Sequence, residues 1–258
     1  MAERWVLDEE EFFKVDLHTY TIEEICELLR CGTIVKSGLI PWGSNYTFLV
    51  ALDVAQPASL LRVYKPRRGE APLWDFPDGT LYKREYAAFV LSEALGWRIV
   101  PPTVIRDGPD GIGTVQLYMH HQREEADYFS IRDHRTREVK TMAVFDLIAN
   151  NTDRKAGHCL QDENGYVWGI DHGLTFNLHS GLRTVIWDFG GERIPKRLLR
   201  DIRRVCDDLE AKRGMVYELR ELLSPAEIEG LCERMHTLLS KPILPDLQRR
   251  RSVPWSFH

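Results

Sequence analysis

Cysteine is scarce, with five in 258 residues, at positions 26, 31, 159, 206 and 232. None forms a CxxC pair and no Cys/His set has zinc spacing, which excludes a metal knot and a secreted disulfide scaffold. Such usage fits a reducing, cytoplasmic setting. No run of 18 apolar residues occurs, and the first eleven residues are acidic rather than a basic stretch before an apolar one. Neither a membrane span nor a signal peptide is therefore expected. Positive charge is not in excess: 34 Lys and Arg against 39 Asp and Glu leave a formal charge of -5. No global field draws the chain to nucleic acid or an anionic bilayer. Internal repeats and long flexible linkers are absent too. What is present is ordinary globular composition, 43% hydrophobic and 28% charged, enough to bury a sizeable core.

The pattern of apolar residues changes along the chain. Thr21, with Glu24 three residues later, makes a capping box before a helix over Ile22–Arg30. Strands are expected at Thr33–Leu39, Tyr46–Leu52 and Leu60–Tyr64 as an antiparallel meander. A loop over Pro66–Thr80 leads into a helix over Tyr82–Leu95 that stops at Gly96. Two more strands, Val100–Arg106 and Thr114–Met119, flank the turn Asp107-Gly108-Pro109-Asp110-Gly111. The second half is helical, over Arg137–Asn150, Leu198–Lys212, Tyr217–Leu223 and Pro225–Leu239, with short β segments at Cys159–Gln161 and Val167–Ile170. This predicts an α+β fold of two lobes, β-rich over residues 1–119 and helix-rich over 120–258, with ligand in the cleft between them.

The densest polar cluster runs from Asn150 to His158 and includes Asp153, Arg154 and Lys155. It follows an apolar helix and precedes a short strand, and loops held in that way are where catalytic groups concentrate. Eighteen residues after Asp153, a strand-like segment delivers Asp171-His172-Gly173. An acidic side chain at a strand end before glycine is placed to hold a cation. Singly, these residues carry little. Lys65 reads as a strand-end charge, Glu85 as a solvated helix charge beside Lys83 and Arg84, and His158 as a hydrogen-bonded structural histidine. Asn150 and Asn151 read as helix C-terminal residues suited to left-handed backbone, and Arg154 as a brace that pairs with carboxylates. Their combination, in this order, carries more.

Asp153-Arg154 with His158, followed by Gly169-Ile170-Asp171-His172-Gly173-Leu174-Thr175-Phe176, resembles the catalytic and metal-binding segments of the phosphatidylinositol 3-/4-kinase-like branch of the protein-kinase fold. Val63-Tyr64-Lys65-Pro66 resembles that branch's nucleotide-binding lysine strand, and Lys83-Arg84-Glu85-Tyr86-Ala87-Ala88 its partner helix. Order and spacing agree over residues 33–178. The whole chain is similar to a bacterial family labelled only as phosphatidylinositol-kinase-related.

The resemblance implies an atypical kinase that uses ATP and Mg²⁺ or Mn²⁺ and transfers phosphate to a hydroxyl of a protein or small molecule. Lys65 would contact the α/β-phosphates, aimed by an ion pair with Glu85. Asp153 would accept the acceptor's proton and Asp171 would bind the metal. His158 stands where the family often has an Asn ligand; an imidazole there either favours Mn²⁺ over the oxygen-seeking Mg²⁺, binds the metal through water or contacts a phosphate. The loop Gly38–Asn45 lacks a GxGxxG pattern, which leaves phosphate cradling to Ser44, Asn45 and nearby backbone N–H groups. Adenine would meet the backbone of Gln116, Leu117 and Tyr118. Two rival readings are a nucleotide-binding scaffold without turnover and an enzyme that transfers AMP. Trp187-Asp188-Phe189-Gly190 contains the Asp-Phe-Gly string of protein kinases, but it lies 35 residues after Asp153, too far for the hairpin that must return to the catalytic loop. Residues Asn177–Pro195 correspond to the substrate segment, whose Leu182, Val185, Ile186 and Trp187 either pack on the helices or line an acceptor pocket.

Overall fold

The computed structural model describes residues 19–40, 45–53, 60–120, 127–246 and Pro254. The chain forms two compact units, one of residues up to Tyr82 with Pro102–Tyr118, the other of Lys83–Pro101 with residues from Met119 onward.

In the first unit, helix α1 (Ile22–Cys31) starts with the expected box: Thr21 Oγ1 accepts from Glu24 N at 3.2 Å while Glu24 Oε2 accepts from Thr21 N at 2.8 Å. Its terminal carbonyls need outside partners. Arg106 Nη1 supplies them, donating to Leu29 O at 3.0 Å and to Gly32 O at 2.7 Å. Strands β1 (Thr33–Ile40), β2 (Thr47–Asp53), β3 (Leu60–Pro66), β4 (Thr103–Gly108) and β5 (Gly111–Leu117) form one antiparallel sheet in the order β1-β2-β3-β5-β4. The sheet matches the predicted meander and hairpin. Strand β4 begins three residues later than the periodicity predicts, because Pro101 and Pro102 have no N–H for a ladder. Gly113 lets β5 approach β3 beside Lys65: a Cβ there would lie 2.3 Å from Lys65 O. After β3, Glu70 folds back to cap helix α2 (Leu81–Leu95), its two carboxylate oxygens accepting from Leu81 N at 3.0 Å and Tyr82 N at 2.8 Å.

From Lys83 on, α2 belongs to the second unit. That unit also contains α3 (Tyr128–Ile131), α4 (Thr136–Ala149), the hairpin β6–β7 (Cys159–Gln161 and Val167–Gly169), α5 (Lys196–Glu210), α6 (Leu219–Leu222) and α7 (Pro225–Ser240). Its core is apolar, with Val90, Leu91, Met142, Phe145, Ile148, Leu198, Ile202, Leu231 and Met235 at most 1% exposed. Trp97 Nε1 donates to Asp201 Oδ2 at 3.1 Å and Arg204 Nη2 to Ala94 O at 2.7 Å, tying the end of α2 to α5. The expected solvation of Arg84 is overturned: it is buried and paired with Glu227, a residue of the α7 capping box. The helix expected over Tyr217–Leu223 is a 3-10 turn, Met215–Glu218, running into the single turn of α6. Among the described residues no helix is long and apolar enough to cross a membrane.

Arg62 on β3 is fully buried, and among the described residues its hydrogen bond goes from Nη1 to Leu61 O at 3.1 Å. Nε and Nη2 have no acceptor among the described residues, and burial lowers its pKa to about 9. Each orphaned donor costs about 1–3 kcal/mol. Arg62→Met should therefore raise unfolding free energy by about 2 kcal/mol in urea denaturation at pH 7. Because the folded pKa is depressed, this cost to the wild type shrinks as the pH climbs from about 9 toward the unfolded value. A destabilised variant would show that Arg62 has a partner in solution.

Candidate active site

The second unit builds its polar centre around one buried cation. Helix α4 ends at Asn150, whose left-handed backbone (φ 48°, ψ 60°) turns the chain as its residue type suggests. Four residues later Arg154 is wholly buried, and its Nε and Nη2 donate to the two carboxylate oxygens of Asp146 on α4, both at 2.9 Å. Burial opposes its charge, but Asp146 more than reverses that and raises the guanidinium pKa. Arg154 Nη1 also donates to Ile170 O at 2.9 Å and His158 O at 3.2 Å. One side chain thus fixes the turn after α4 and the strand end before Asp171. This is the brace expected of Arg154.

Main-chain bonds attach the next segment. Arg183 N donates to Asn151 O, Arg154 N to Arg183 O and Val185 N to Arg154 O, at 3.0, 3.0 and 3.1 Å. The resulting parallel bridge pairs Arg154 with Thr184. Side chains alternate along such a segment. Arg154 and Thr184 share the buried face, and Asp153 and Arg183 share the other. Thr184 and Ile186 are 2% and 3% exposed and, with Leu182, Trp187, Ala143 and Leu147, line a cavity of about 10 Å³. That is room for about one water, so these side chains pack on α4 and do not enclose an acceptor.

Asp153 N donates to Asn151 Oδ1 at 3.0 Å, and its Oδ2 lies 3.2 Å from Lys155 Nζ. Burial raises the Asp153 pKa, Lys155 opposes the rise, Asp171 adds to it and Arg183 opposes it. A carboxylate at the mouth of the loop is thereby flanked by two cations. Asp171, on the left-handed backbone (φ 58°) after β7, is half exposed, and its Oδ2 lies 3.3 Å from His158 Nε2. Among the described residues no three His, Cys, Asp or Glu side chains form a metal-holding group. A carboxylate oxygen and an imidazole nitrogen that close together do suit one divalent ion whose other ligands are phosphates and water. Glu85, 2% exposed on α2, accepts from His172 N at 3.0 Å, so it reaches the residue after Asp171. The Asp188 of the Asp-Phe-Gly decoy instead sits in a turn, 3.5 Å from Arg132.

The other predicted residues lie in the first unit. Lys65 is on β3 opposite Thr114, and Gln116 and Leu117 are on the adjacent β5, opposite Val63 and Arg62. Gln116 is buried, with its Nε2 donating to Thr103 Oγ1 at 2.8 Å. Leu117 N donates to Pro102 O at 2.9 Å and Tyr118 N to Leu61 O at 3.3 Å, so these two N–H groups are spent within the unit. Asn45 Oδ1 accepts from Ala71 N at 2.8 Å, which ties that residue to the loop after β3. Ser44 lies outside the described residues.

Residues 106–242 match the family described as phosphatidylinositol 3- and 4-kinase. Protein Rv2133c of Mycobacterium tuberculosis is 36% identical over 262 residues, covering 88% of this chain and 93% of that protein. The chain belongs to the phosphatidylinositol 3- and 4-kinase family. Two solved structures share its protein-kinase-like fold. The Golgi casein kinase with Mn/ADP bound has a TM-score of 0.53 at 14% identity, over 95% of this chain and 80% of that one. The hydra Fam20 with sugar has a TM-score of 0.51 at 15% identity, over 89% of this chain and 90% of that one. The α+β fold expected from the sequence is that of this kinase family.

In this family member, sequence reasoning passed over Lys155, Asp146, Arg183 and His172. Lys155 had one readable signal, its position two residues beyond Asp153. Asp146 was hidden in the apolar pattern of α4, although an acid eight residues before a loop arginine is within reach once the helix ends at Asn150. Arg183 gave no signal, since only the bridge places it beside Asp153.

Two outcomes are expected. Asp146→Ala leaves the Arg154 cation buried without its carboxylate and should cost about 3–5 kcal/mol in chemical denaturation. A loss below about 1 kcal/mol would mean that the pair is solvated. For Asp153, whose folded pKa lies above its usual 3.8, the folded chain binds the proton more tightly than the unfolded one. Stability from this group is intact below about pH 4 and is lost as pH rises through the folded value. Metal-free Asp153→Asn should thus gain melting temperature on wild type between about pH 4 and pH 7, and a difference constant across that range would contradict the burial argument.

Proposed function

We propose that this chain is an ATP- and divalent-metal-dependent phosphotransferase of the cytoplasm, acting on a hydroxyl of a protein or small molecule. The observation that carries the reading is the loop that presents Asp153 between Lys155 and Arg183, with the Asp171–His158 pair within its electrostatic reach. Phosphoryl transfer asks little covalent chemistry of a protein; it needs an oriented acceptor and compensation of phosphate charge.

Each residue then has a task. Asp153 orients the acceptor hydroxyl and takes its proton, and the raised pKa strengthens it as a base. Lys155 and Arg183 offset charge that builds on the transferred group. Lys65 holds the α/β-phosphates, and Glu85 acts through His172 N on the metal segment. Asp171 and His158 hold the cation, Mn²⁺ in preference to Mg²⁺ because one ligand is an imidazole. When bound, that cation neutralises the phosphates. Asn45 borders the phosphates by its backbone. With the Leu117 and Tyr118 N–H groups engaged, adenine recognition at Gln116–Tyr118 falls to carbonyl oxygens.

Purified protein with Mn²⁺ and γ-labelled ATP, offered a panel of polyols and hydroxyl-bearing peptides, tests this. Asp153→Asn and Asp171→Ala should each lower transfer at least about 10²-fold while melting as cooperatively as wild type. Intact mass of the product should show an added phosphoryl group. Full transfer by both variants would defeat the residue assignment. Addition of AMP would replace the reaction, and nucleotide binding without Asp153-dependent turnover would make the chain a scaffold.

A further inference from the structure

We propose that His172, with its ring proton on Nδ1, is a positioning residue that holds Asp171 in its metal-facing geometry; this rests on the reading of Asp171 as the metal carboxylate. Asp171 has φ 58°, a left-handed backbone that a non-glycine residue adopts only where its surroundings over-determine it. Both flanking peptides are clamped by buried charged side chains. Arg154 Nη1 donates to Ile170 O at 2.9 Å on one side, and Glu85 Oε1 accepts from His172 N at 3.0 Å on the other.

The third hold is the imidazole. His172 is fully buried, and its Nε2 lies 2.7 Å from Arg154 Nη2. A guanidinium has only donors to offer. Nε2 must therefore accept, which leaves the ring hydrogen on Nδ1 and the ring neutral. Arg154 cannot swing to relieve the contact, because Nε and Nη2 are also held by Asp146. Phe145 meets the imidazole edge-on at 5.6 Å. Gly169 leaves room for the approach, since a Cβ there would lie 3.3 Å from both Arg154 Nη2 and His172 Cε1. Asp146, Arg154 and His172 thus form one buried line that ends beside Asp171.

Phenylalanine, the residue of the protein-kinase string at this position, has no lone pair for Arg154. His172→Phe would make this chain read Asp-Phe-Gly and yet loosen the metal carboxylate. His172→Gln keeps an acceptor oxygen on the side chain.

Two measurements test the proposal. The first is a long-range ¹H–¹⁵N spectrum of the ¹⁵N-labelled full chain without metal or nucleotide, with His172 assigned by its disappearance in His172→Gln. An Nδ1-protonated neutral ring is expected, and an Nε2-protonated ring or an imidazolium overturns the proposal. This readout needs no activity. The second is Mn²⁺ titration followed by electron paramagnetic resonance in the presence of a non-hydrolysable ATP analogue. His172→Phe should weaken Mn²⁺ binding about 10–100-fold, as loss of an outer partner of a metal ligand does, while His172→Gln recovers most of the affinity. Equal Mn²⁺ affinity in wild type and His172→Phe overturns the positioning role. Wild type that binds no Mn²⁺ overturns the metal reading itself and this proposal with it, and the wild-type titration alone identifies that case.

Discussion

The ion pair between Arg154 and Asp146 is the constraint on which the rest of the second unit depends. Removing two charges from water is expensive, and such a pair is tolerated only when its hydrogen bonds are filled. Here both carboxylate oxygens take a bond from the guanidinium, whose Nη1 donates to Ile170 O and His158 O and whose Nη2 also meets His172 Nε2. A buried charge that must satisfy several partners fixes all of them together. The end of α4, the loop carrying Asp153 and the strand end before Asp171 are thus referred to one atom group. The same residue's main chain binds the Arg183–Val185 segment.

The first unit shows the same economy with weaker means. Glu70 and Arg106 are both remote from the helix ends that they complete, yet each satisfies backbone groups that the helix cannot. Gly113 settles how near β5 comes to β3 at Lys65. The lysine strand is set by a neighbour with no side chain.

Much of this was legible in the sequence because it is local. Periodicity, the Thr21–Glu24 box and the Gly-Pro-Asp-Gly turn depend on a few adjacent residues, and the observed elements follow them closely. The order Lys65, Glu85, Asp153, Asp171 pointed to the kinase family because family segments are short strings. Long-range polar contacts were not legible. Arg84 looks solvated until α7 brings Glu227 to it, Arg183 looks like any loop arginine until a bridge sets it beside Asp153, and the N–H groups of Leu117 and Tyr118 look available until Pro102 and Leu61 claim them. Each depends on a partner 15 to 143 residues away, a distance over which no sequence pattern carries information. The choice between packing and pocket for Leu182, Ile186 and Trp187 was open for the same reason and was decided by the face of α4 that they meet.

The Arg154–Thr184 bridge has a consequence for how such a protein is governed. A stretch hemmed to its neighbour by three peptide contacts, with its apolar side chains pressed against a helix, has no slack to swing in and out on a covalent signal. The chain beside Asp153 is therefore placed once, when the protein folds, by peptide groups that no side-chain replacement removes.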